Sequence, residues 1–164
     1  MRKAVRAIVI EDGKLLVMHR NKEGSQYHTL VGGQVKDGES LEQALSREVL
    51  EETGLKVTRS RLVYVEEHPH PYNEQYIYLA DVAPHSDVAI QEFSEEGVMN
   101  QFGINMHQPF WVSRQSFPGI AFRTPLLQEA IAHALKKGFP EEPVKLDGSQ
   151  DYNRKKRFGI FKRK

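Results

Sequence analysis

Three glutamates near the middle of the chain, Glu48, Glu51 and Glu52, are spaced so that their carboxylates can act together. They lie in residues 40–53, SLEQALSREVLEET, whose pattern predicts a helix. Residues three and four apart lie on one helical face, so the three carboxylates share a face, where their repulsion costs roughly a few tenths of a kcal/mol per pair. Carboxylate oxygens suit Mg²⁺ or Mn²⁺, and such an ion would remove the repulsion. The cluster therefore predicts a divalent-metal site that acts on phosphate groups.

The same helix has the features needed to hold those carboxylates in place. Ser40 and Gln43 match a capping box at its start, and Gly54 stands where a left-handed C-terminal cap belongs. A second face is apolar and is expected to pack against a sheet. That face comprises Leu41, Ala44, Leu45 and Val49.

Charged helix faces are common on solvated surfaces, so the three glutamates alone are also compatible with a plain surface helix. The longer stretch GQVKDGESLEQALSREVLEETGL, Gly33 to Leu55, favours the metal site. Five residues separate Gly33 from Glu39, and seven separate Glu39 from Arg47. Seven fixed positions of this kind coincide by chance on the order of once in 10⁸ placements.

This stretch resembles the 23-residue Nudix box at every defined position. The resemblance implies an α+β protein with the Nudix fold, an α/β/α sandwich with a mixed β-sheet. It implies a pyrophosphohydrolase in which water attacks a nucleoside diphosphate linked to another group, X. The implied cofactor is Mg²⁺ (or Mn²⁺), and the implied metal-binding residues are Gly33, Glu48, Glu51 and Glu52.

The resemblance also assigns supporting roles within the box. Arg47 would orient a neighbouring glutamate by a charge-assisted hydrogen bond, because the rigid guanidinium fork suits carboxylates. The backbone carbonyl of Gly33 would approach a metal, and Glu39 would support the loop or an outer metal shell. The residues expected to take part in catalysis are Glu52, Glu51, Arg47 and Glu96.

The general base is left open by the sequence. In many Nudix enzymes an acidic residue on a loop before a later strand ligates metal or acts as the base. Glu92, Glu95 and Glu96 lie in such a stretch, upstream of PFWV, although exposed loop carboxylates are common. Glu52 inside the box is the competing candidate.

Substrate-binding residues are expected outside the box. Arg20, at the end of a predicted strand, could reach a phosphate, and Tyr27 could stack on a base. Pro71 lies in the loop HPHPY, where some ADP-ribose-cleaving Nudix members carry a proline. The substrate is expected to be a small nucleotide: a (possibly oxidised) nucleoside triphosphate, ADP-ribose or another nucleotide sugar, or a dinucleoside polyphosphate.

Length and composition limit the remaining possibilities. The 164 residues suffice for one domain, and the lack of cysteine excludes disulfides, thiolate zinc sites and thiol nucleophiles. No apolar stretch approaches 18 residues, so a cytoplasmic protein without a transmembrane segment is expected. The predicted element order is ββ(β)αβββα, with residues 84–106 irregular. A homodimer is left open.

Three parts are expected along the chain: residues 1–138 as the Nudix hydrolase domain, 139–151 as a linker, and 152–164 as a basic, flexible tail. The tail carries seven Lys or Arg and no acid, which leaves 16 basic against 22 acidic residues in the rest. A flexible solubilising terminus is the favoured interpretation. Attraction to nucleic acid, to a membrane surface or to the acidic body are the others. The alternative function is therefore a non-catalytic Nudix-fold sensor that binds a nucleotide or RNA.

Overall fold

A computed structural model of the chain describes residues 2–67, 73–103 and 105–148. The expected α+β class is confirmed, with strands and helices mixed along the chain. In chain order the elements are β1 (Ala4–Ile8), β2 (Ile10–Glu11), β3 (Lys14–Lys22), β4 (Ser25–Thr29), β5 (Val31–Gln34), α1 (Leu41–Thr53), β6 (Val57–Glu67), β7 (Glu74–Val82), α2 (Glu95–Phe102), β8 (Asn105–Ser113), a 3-10 turn (Phe117–Gly119), α3 (Pro125–Lys137) and β9 (Val144–Asp147).

A mixed five-stranded sheet has the order β5-β1-β7-β6-β9. Strand β1 pairs antiparallel with β5 and parallel with β7, while β6 pairs antiparallel with β7 and parallel with β9. In the β1–β5 register Val5 lies opposite Gly33. The first residue of the box therefore lies in the edge strand of this sheet, and α1 follows it directly.

The second sheet is built around β3. Strand β8 pairs with β3 from Lys14↔Ser113 to Lys22↔Asn105. On the other side of β3, β2 pairs with its first residues and β4 with its last residues. Strands β2 and β3 form a β-hairpin, and the apolar run at residues 4–10 is divided between β1 and β2. Strand β1 belongs to the first sheet and β2 to the second.

Helices cover both faces of the five-stranded sheet. Leu45 of α1 lies in one buried cluster, and Ile131 of α3 lies in the other. The adjacent β7 residues Tyr78 and Ile77 belong to the first and the second cluster respectively, because successive strand side chains point to opposite faces. The layers are thus helix, sheet and helix.

The expectation of an irregular segment at residues 84–106 was wrong, because α2 lies within it. Ser94 caps this helix by accepting a hydrogen bond from the backbone N–H of Gly97, and Gly103 ends it in a left-handed conformation. The helix has only eight residues and buries little apolar surface, so its periodicity is weak in the sequence.

The segment expected to be a linker, residues 139–151, contains β9. The loop with Pro71 and the tail 152–164 lie outside the described residues, so the division into domain, linker and tail stays a prediction. Each helix within residues 2–67, 73–103 and 105–148 is too short or too polar to span a lipid bilayer.

Candidate active site

Helix α1 begins and ends as its sequence predicts. The Ser40 hydroxyl accepts a hydrogen bond from the Gln43 backbone N–H at 3.1 Å, and the Gln43 side chain accepts one from the Ser40 N–H at 2.9 Å. Gly54 closes the helix with φ of 78°. These caps hold the helix start and end in place, while its apolar face packs on the sheet and its acidic face points towards β5.

Three carboxylates converge on one point. Oxygens of Glu48 and Glu52 from α1 and of Glu96 from α2 all lie within 4.8 Å of one another. Glu48 is 6% exposed and Glu52 is 4% exposed, while Glu96 is half-buried. This spacing and this set of hard oxygen ligands fit a divalent cation such as Mg²⁺ or Mn²⁺.

The electrostatics of the cluster fit a cation as well. Burial raises the pKa of Glu52 to about 8, and this effect outweighs the opposing influence of the Arg6 charge and of a 2.7 Å hydrogen bond from the Gly32 N–H. Burial likewise raises the pKa of Glu48. A cation bound among these oxygens would stabilise their ionised forms and offset the cost of burying them.

Gly33 leaves room for this cluster. A Cβ at residue 33 would lie 2.6 Å from the Glu48 carboxylate, which any larger residue would displace. The neighbouring Gly32 has φ of 142°, and a Cβ there would lie 2.0 Å from the Val5 carbonyl oxygen. A side chain at residue 33 would therefore disturb the carboxylate cluster, and one at residue 32 would disturb the backbone of the sheet.

Arg47 ties the acidic face of α1 to the preceding loop. Its Nε donates to Glu39 at 2.5 Å and its Nη1 donates to Glu48 at 2.8 Å, while Nη2 donates to the Gln34 carbonyl at 3.0 Å. The hydrogen bond from Arg47 lowers the pKa of Glu39 to about 2. This geometry supports the orienting role predicted for Arg47 and the loop-supporting role predicted for Glu39.

The other acidic candidates differ in position. Glu51 is half-buried, accepts a 3.4 Å hydrogen bond from Arg47 and lines the same cavity, but stands outside the group of three carboxylates. Glu95 and Glu96 both line that cavity. Glu92 is exposed and is not among the residues that line it.

Contacts at both ends of α2 bring Glu96 to the cluster. Before the helix, the Gln91 N–H donates to the Glu51 carbonyl at 2.8 Å. Near its end, the Asn100 side chain accepts from the His107 N–H at 2.7 Å and donates to the His107 carbonyl at 2.8 Å. The helix is therefore attached to α1 on one side and to β8 on the other.

The carboxylates lie in a cavity of about 860 Å³ that also contains cationic groups. Arg20 lines it and donates to the Asn105 side chain at 3.1 Å. Arg6 lines it too, and its Nη1 donates to the Gly32 carbonyl at 3.0 Å. Arg6 is not among the residues predicted from the sequence, although an arginine within the apolar segment AVRAIVI is a usable signal. His107 also lines the cavity and has no signal in the sequence, and burial lowers the pKa of its imidazole to about 4.

A second cavity of about 500 Å³ adjoins the first. Tyr27 lines it, with the Arg123 guanidinium 3.8 Å and the Arg20 guanidinium 5.8 Å from the centre of its ring. The structure thus brings Arg20 and Tyr27 together. Pro71, the third residue predicted to bind substrate, lies outside the described part of the chain.

The sequence of this chain is similar to known proteins. The family model for the NUDIX domain matches residues 1–129. An NAD-capped RNA hydrolase NudC from Klebsiella pneumoniae is 42% identical over 78 residues, which cover 47% of this chain and 30% of that protein. The NudC of Shigella dysenteriae is 42% identical over 76 residues, 46% of this chain and 29% of its own length. The chain therefore matches less than a third of each of these relatives.

Solved structures share the fold. The Escherichia coli ORF135 protein superposes with a TM-score of 0.63 at 25% identity, covering 87% of this chain and 95% of that one. A MutT NUDIX hydrolase from Burkholderia pseudomallei gives a TM-score of 0.60 at 22% identity, covering 77% of this chain and 94% of its own. These likenesses therefore extend well beyond the 23 residues of the box.

Proposed function

This chain belongs to the Nudix family of hydrolases, and on that premise we propose that it is a metal-dependent pyrophosphohydrolase of nucleoside diphosphates linked to X. The observation that carries the proposal is the convergence of Glu48, Glu52 and Glu96 within 4.8 Å, in a cavity that also holds Arg6 and Arg20. Such a cavity can bind a cation and the anionic bridge together.

Acidic residues would hold the metal. Glu48 and Glu52 would be the ligands from α1, with Glu51 at the wall of the same cavity. The carbonyl of Gly33, which also lines that cavity, would be a further ligand. A bound Mg²⁺ or Mn²⁺ would neutralise diphosphate charge and lower the pKa of an attacking water. Arg47 would hold the Glu48 carboxylate in position for that ion through its 2.8 Å hydrogen bond.

Glu96 is the better candidate for the general base. The Glu52 carboxylate is buried and already accepts the 2.7 Å hydrogen bond from Gly32. Glu96 is half-buried at the cavity and retains access to water, so it can take a proton from the nucleophile and release it to solvent. Arg20 would bind the phosphate of the leaving group, on which negative charge develops as the bridge is cleaved.

The substrate is a nucleotide with a diphosphate bridge. Oxidised nucleoside triphosphates, ADP-ribose, nucleotide sugars and dinucleoside polyphosphates all carry that bridge. The NAD cap named in the similar NudC proteins is also a diphosphate that joins two nucleosides. We therefore include NAD and NAD-capped RNA among the candidates.

The test is turnover of this panel with Mg²⁺, with Mn²⁺ and with chelator, by the protein and by Glu52→Gln, Glu96→Gln and Glu92→Gln. We expect metal-dependent release of nucleoside monophosphate, a loss of at least about 10²-fold in the first two variants, and little change in the exposed control Glu92→Gln. Tight nucleotide binding without turnover of any panel member would instead favour the non-catalytic sensor.

A further inference from the structure

The second cavity, called here the basic pocket, is continuous with the metal site. Arg6, Arg20 and Gly33 line both cavities, so one ligand can occupy both. Glu74 is the single carboxylate among its described lining residues. Its cationic side chains are those of Arg2, Lys3, Arg6, Arg20, Lys22 and Arg123.

Direct ion pairs do not neutralise these cations within residues 2–67, 73–103 and 105–148, where none of the six takes part in one. Only longer-range attraction to Glu52, Glu48 and Glu66 acts on the Arg6 charge there. Outside those ranges the sequence contains one acidic residue, Asp151. Glu74 itself accepts a hydrogen bond from the Tyr76 hydroxyl. Like charges that line one cavity repel each other, and an anion bound between them would remove that repulsion.

The pocket also holds polar atoms without a partner. The Arg20 Nε and the Thr29 hydroxyl are buried, and among the described residues neither makes a hydrogen bond. Both residues line the pocket. Arg123 stacks on Tyr27 at 3.8 Å, which restricts its guanidinium while leaving its N–H groups available. Donors held in this way suit the oxygens of a phosphate.

The pocket concentrates positive charge beside apolar groups. Six cations line it together with Ala4, Leu30, Leu127 and the Tyr27 ring. A neutral nucleobase alone would leave those cations without a counter-charge. With the diphosphate bridge at the metal site, as the proposed function requires, the basic pocket is available for a different anionic group.

We propose that the basic pocket binds a second phosphate of the substrate, carried by the nucleoside beyond the diphosphate bridge, as on a ribose 3′-oxygen. The inference rests on the proposed function, because the bridge must occupy the metal site. Two sources share this chemistry: a mononucleotide with a 3′-phosphate, and the 5′ end of an oligonucleotide, whose first internucleotide phosphate is attached there. Arg123 and Lys22 are then specificity-determining residues.

The experiment measures binding and needs no turnover. With Mg²⁺ present, calorimetry gives the Kd of the full chain for adenosine 5′-monophosphate, adenosine 3′,5′-bisphosphate and the 5′-phosphorylated dinucleotide pApA. We expect the bisphosphate to bind at least about tenfold more tightly than the monophosphate, since charge-assisted hydrogen bonds are strong. Arg123→Gln with Lys22→Gln should abolish this preference. Arg123→Lys should keep only part of it, because lysine retains the charge but loses the stacked guanidinium fork.

The control variant is Arg59→Gln, which removes an arginine whose side chain is 85% exposed and paired with Asp81 away from the pocket. It should leave the preference unchanged. A gain for pApA as well would identify an oligonucleotide end as the source, and a gain for the bisphosphate alone would identify a mononucleotide. Equal affinity for the monophosphate and both other ligands, or a preference that survives the double substitution, would overturn the inference. Absence of turnover across the substrate panel would contradict only the proposed function.

Discussion

The lack of a side chain at Gly33 leaves room for the Glu48 carboxylate. The Glu48 carboxylate occupies the volume that a side chain on residue 33 would need, with 2.6 Å between it and an added Cβ. Because the obstructing atoms are the end of a flexible side chain, the clash moves Glu48 and leaves the backbone where it is. A methyl group at residue 33 should therefore damage the metal site without unfolding the protein.

We predict that Gly33→Ala lowers Mn²⁺ affinity by at least about tenfold while the melting temperature changes little. Mutation of residues that only orient metal ligands already lowers metal affinity by about 10–100-fold. Paramagnetic titration of Mn²⁺ measures the first quantity and calorimetry measures the second. Gly119→Ala is the matched control, because nothing lies within 4 Å of an added Cβ there. Unchanged Mn²⁺ affinity in Gly33→Ala would argue against Glu48 as a ligand.

Helix α2 is the element that completes the carboxylate cluster. Eight residues form it, and most of its apolar side chains face outwards: Val98 is 45% exposed and Phe102 is 72% exposed. It is therefore held less by packing than by hydrogen bonds, above all the pair between the Asn100 side chain and the His107 backbone. An element with few buried contacts depends strongly on such bonds.

We predict that Asn100→Ala releases α2 and reduces metal-dependent turnover by about tenfold or more, through displacement of Glu96. The backbone N–H and C=O of His107 would both lose their hydrogen-bond partner, and leaving a buried group unsatisfied costs roughly 1–3 kcal/mol. Turnover and amide hydrogen exchange of α2 check this together. Gln101→Ala, an exposed neighbour on the same helix, is the control. Faster exchange in α2 with unchanged turnover would show that Glu96 is dispensable.

At the scale of the whole molecule, β9 extends the five-stranded sheet. Its four residues pair with β6 from Tyr64↔Val144 to Glu67↔Asp147. Leu146 packs against the cluster that contains Ile131. The segment expected to be a linker thus adds hydrogen bonds and buried apolar area to the domain.

We predict that a chain ending at residue 138 is less stable than one ending at residue 148, by about 2 kcal/mol or more in the free energy of unfolding. The physical reason is the loss of β9 pairing and of the apolar area buried by Leu146 and Phe139. Urea unfolding of both chains measures the difference, and the longer chain is the control for loss of residues 149–164. Equal stability would support a domain boundary at residue 138.

The family, the fold class and helix α1 with both of its caps can be predicted from the sequence alone. These depend on local pattern: Ser40, Gln43 and Gly54 act on neighbours within a few residues, and the box is one continuous stretch. The sequence also supplies candidate residues for the site. Glu48 and Glu52 follow from their type and helical spacing, and Glu96 follows from the resemblance to Nudix enzymes.

Which of the candidate residues lie close together depends on long-range packing. Glu96 lies 44 positions from Glu52, and the two come together because α2 is attached to α1 and β8 by bonds that leave no local pattern. The basic pocket likewise joins Lys22 of β3 to Arg123, which follows β8. The short helix α2 and strand β9 have little periodicity of their own. Long-range pairing and packing define them, and sequence spacing does not record either.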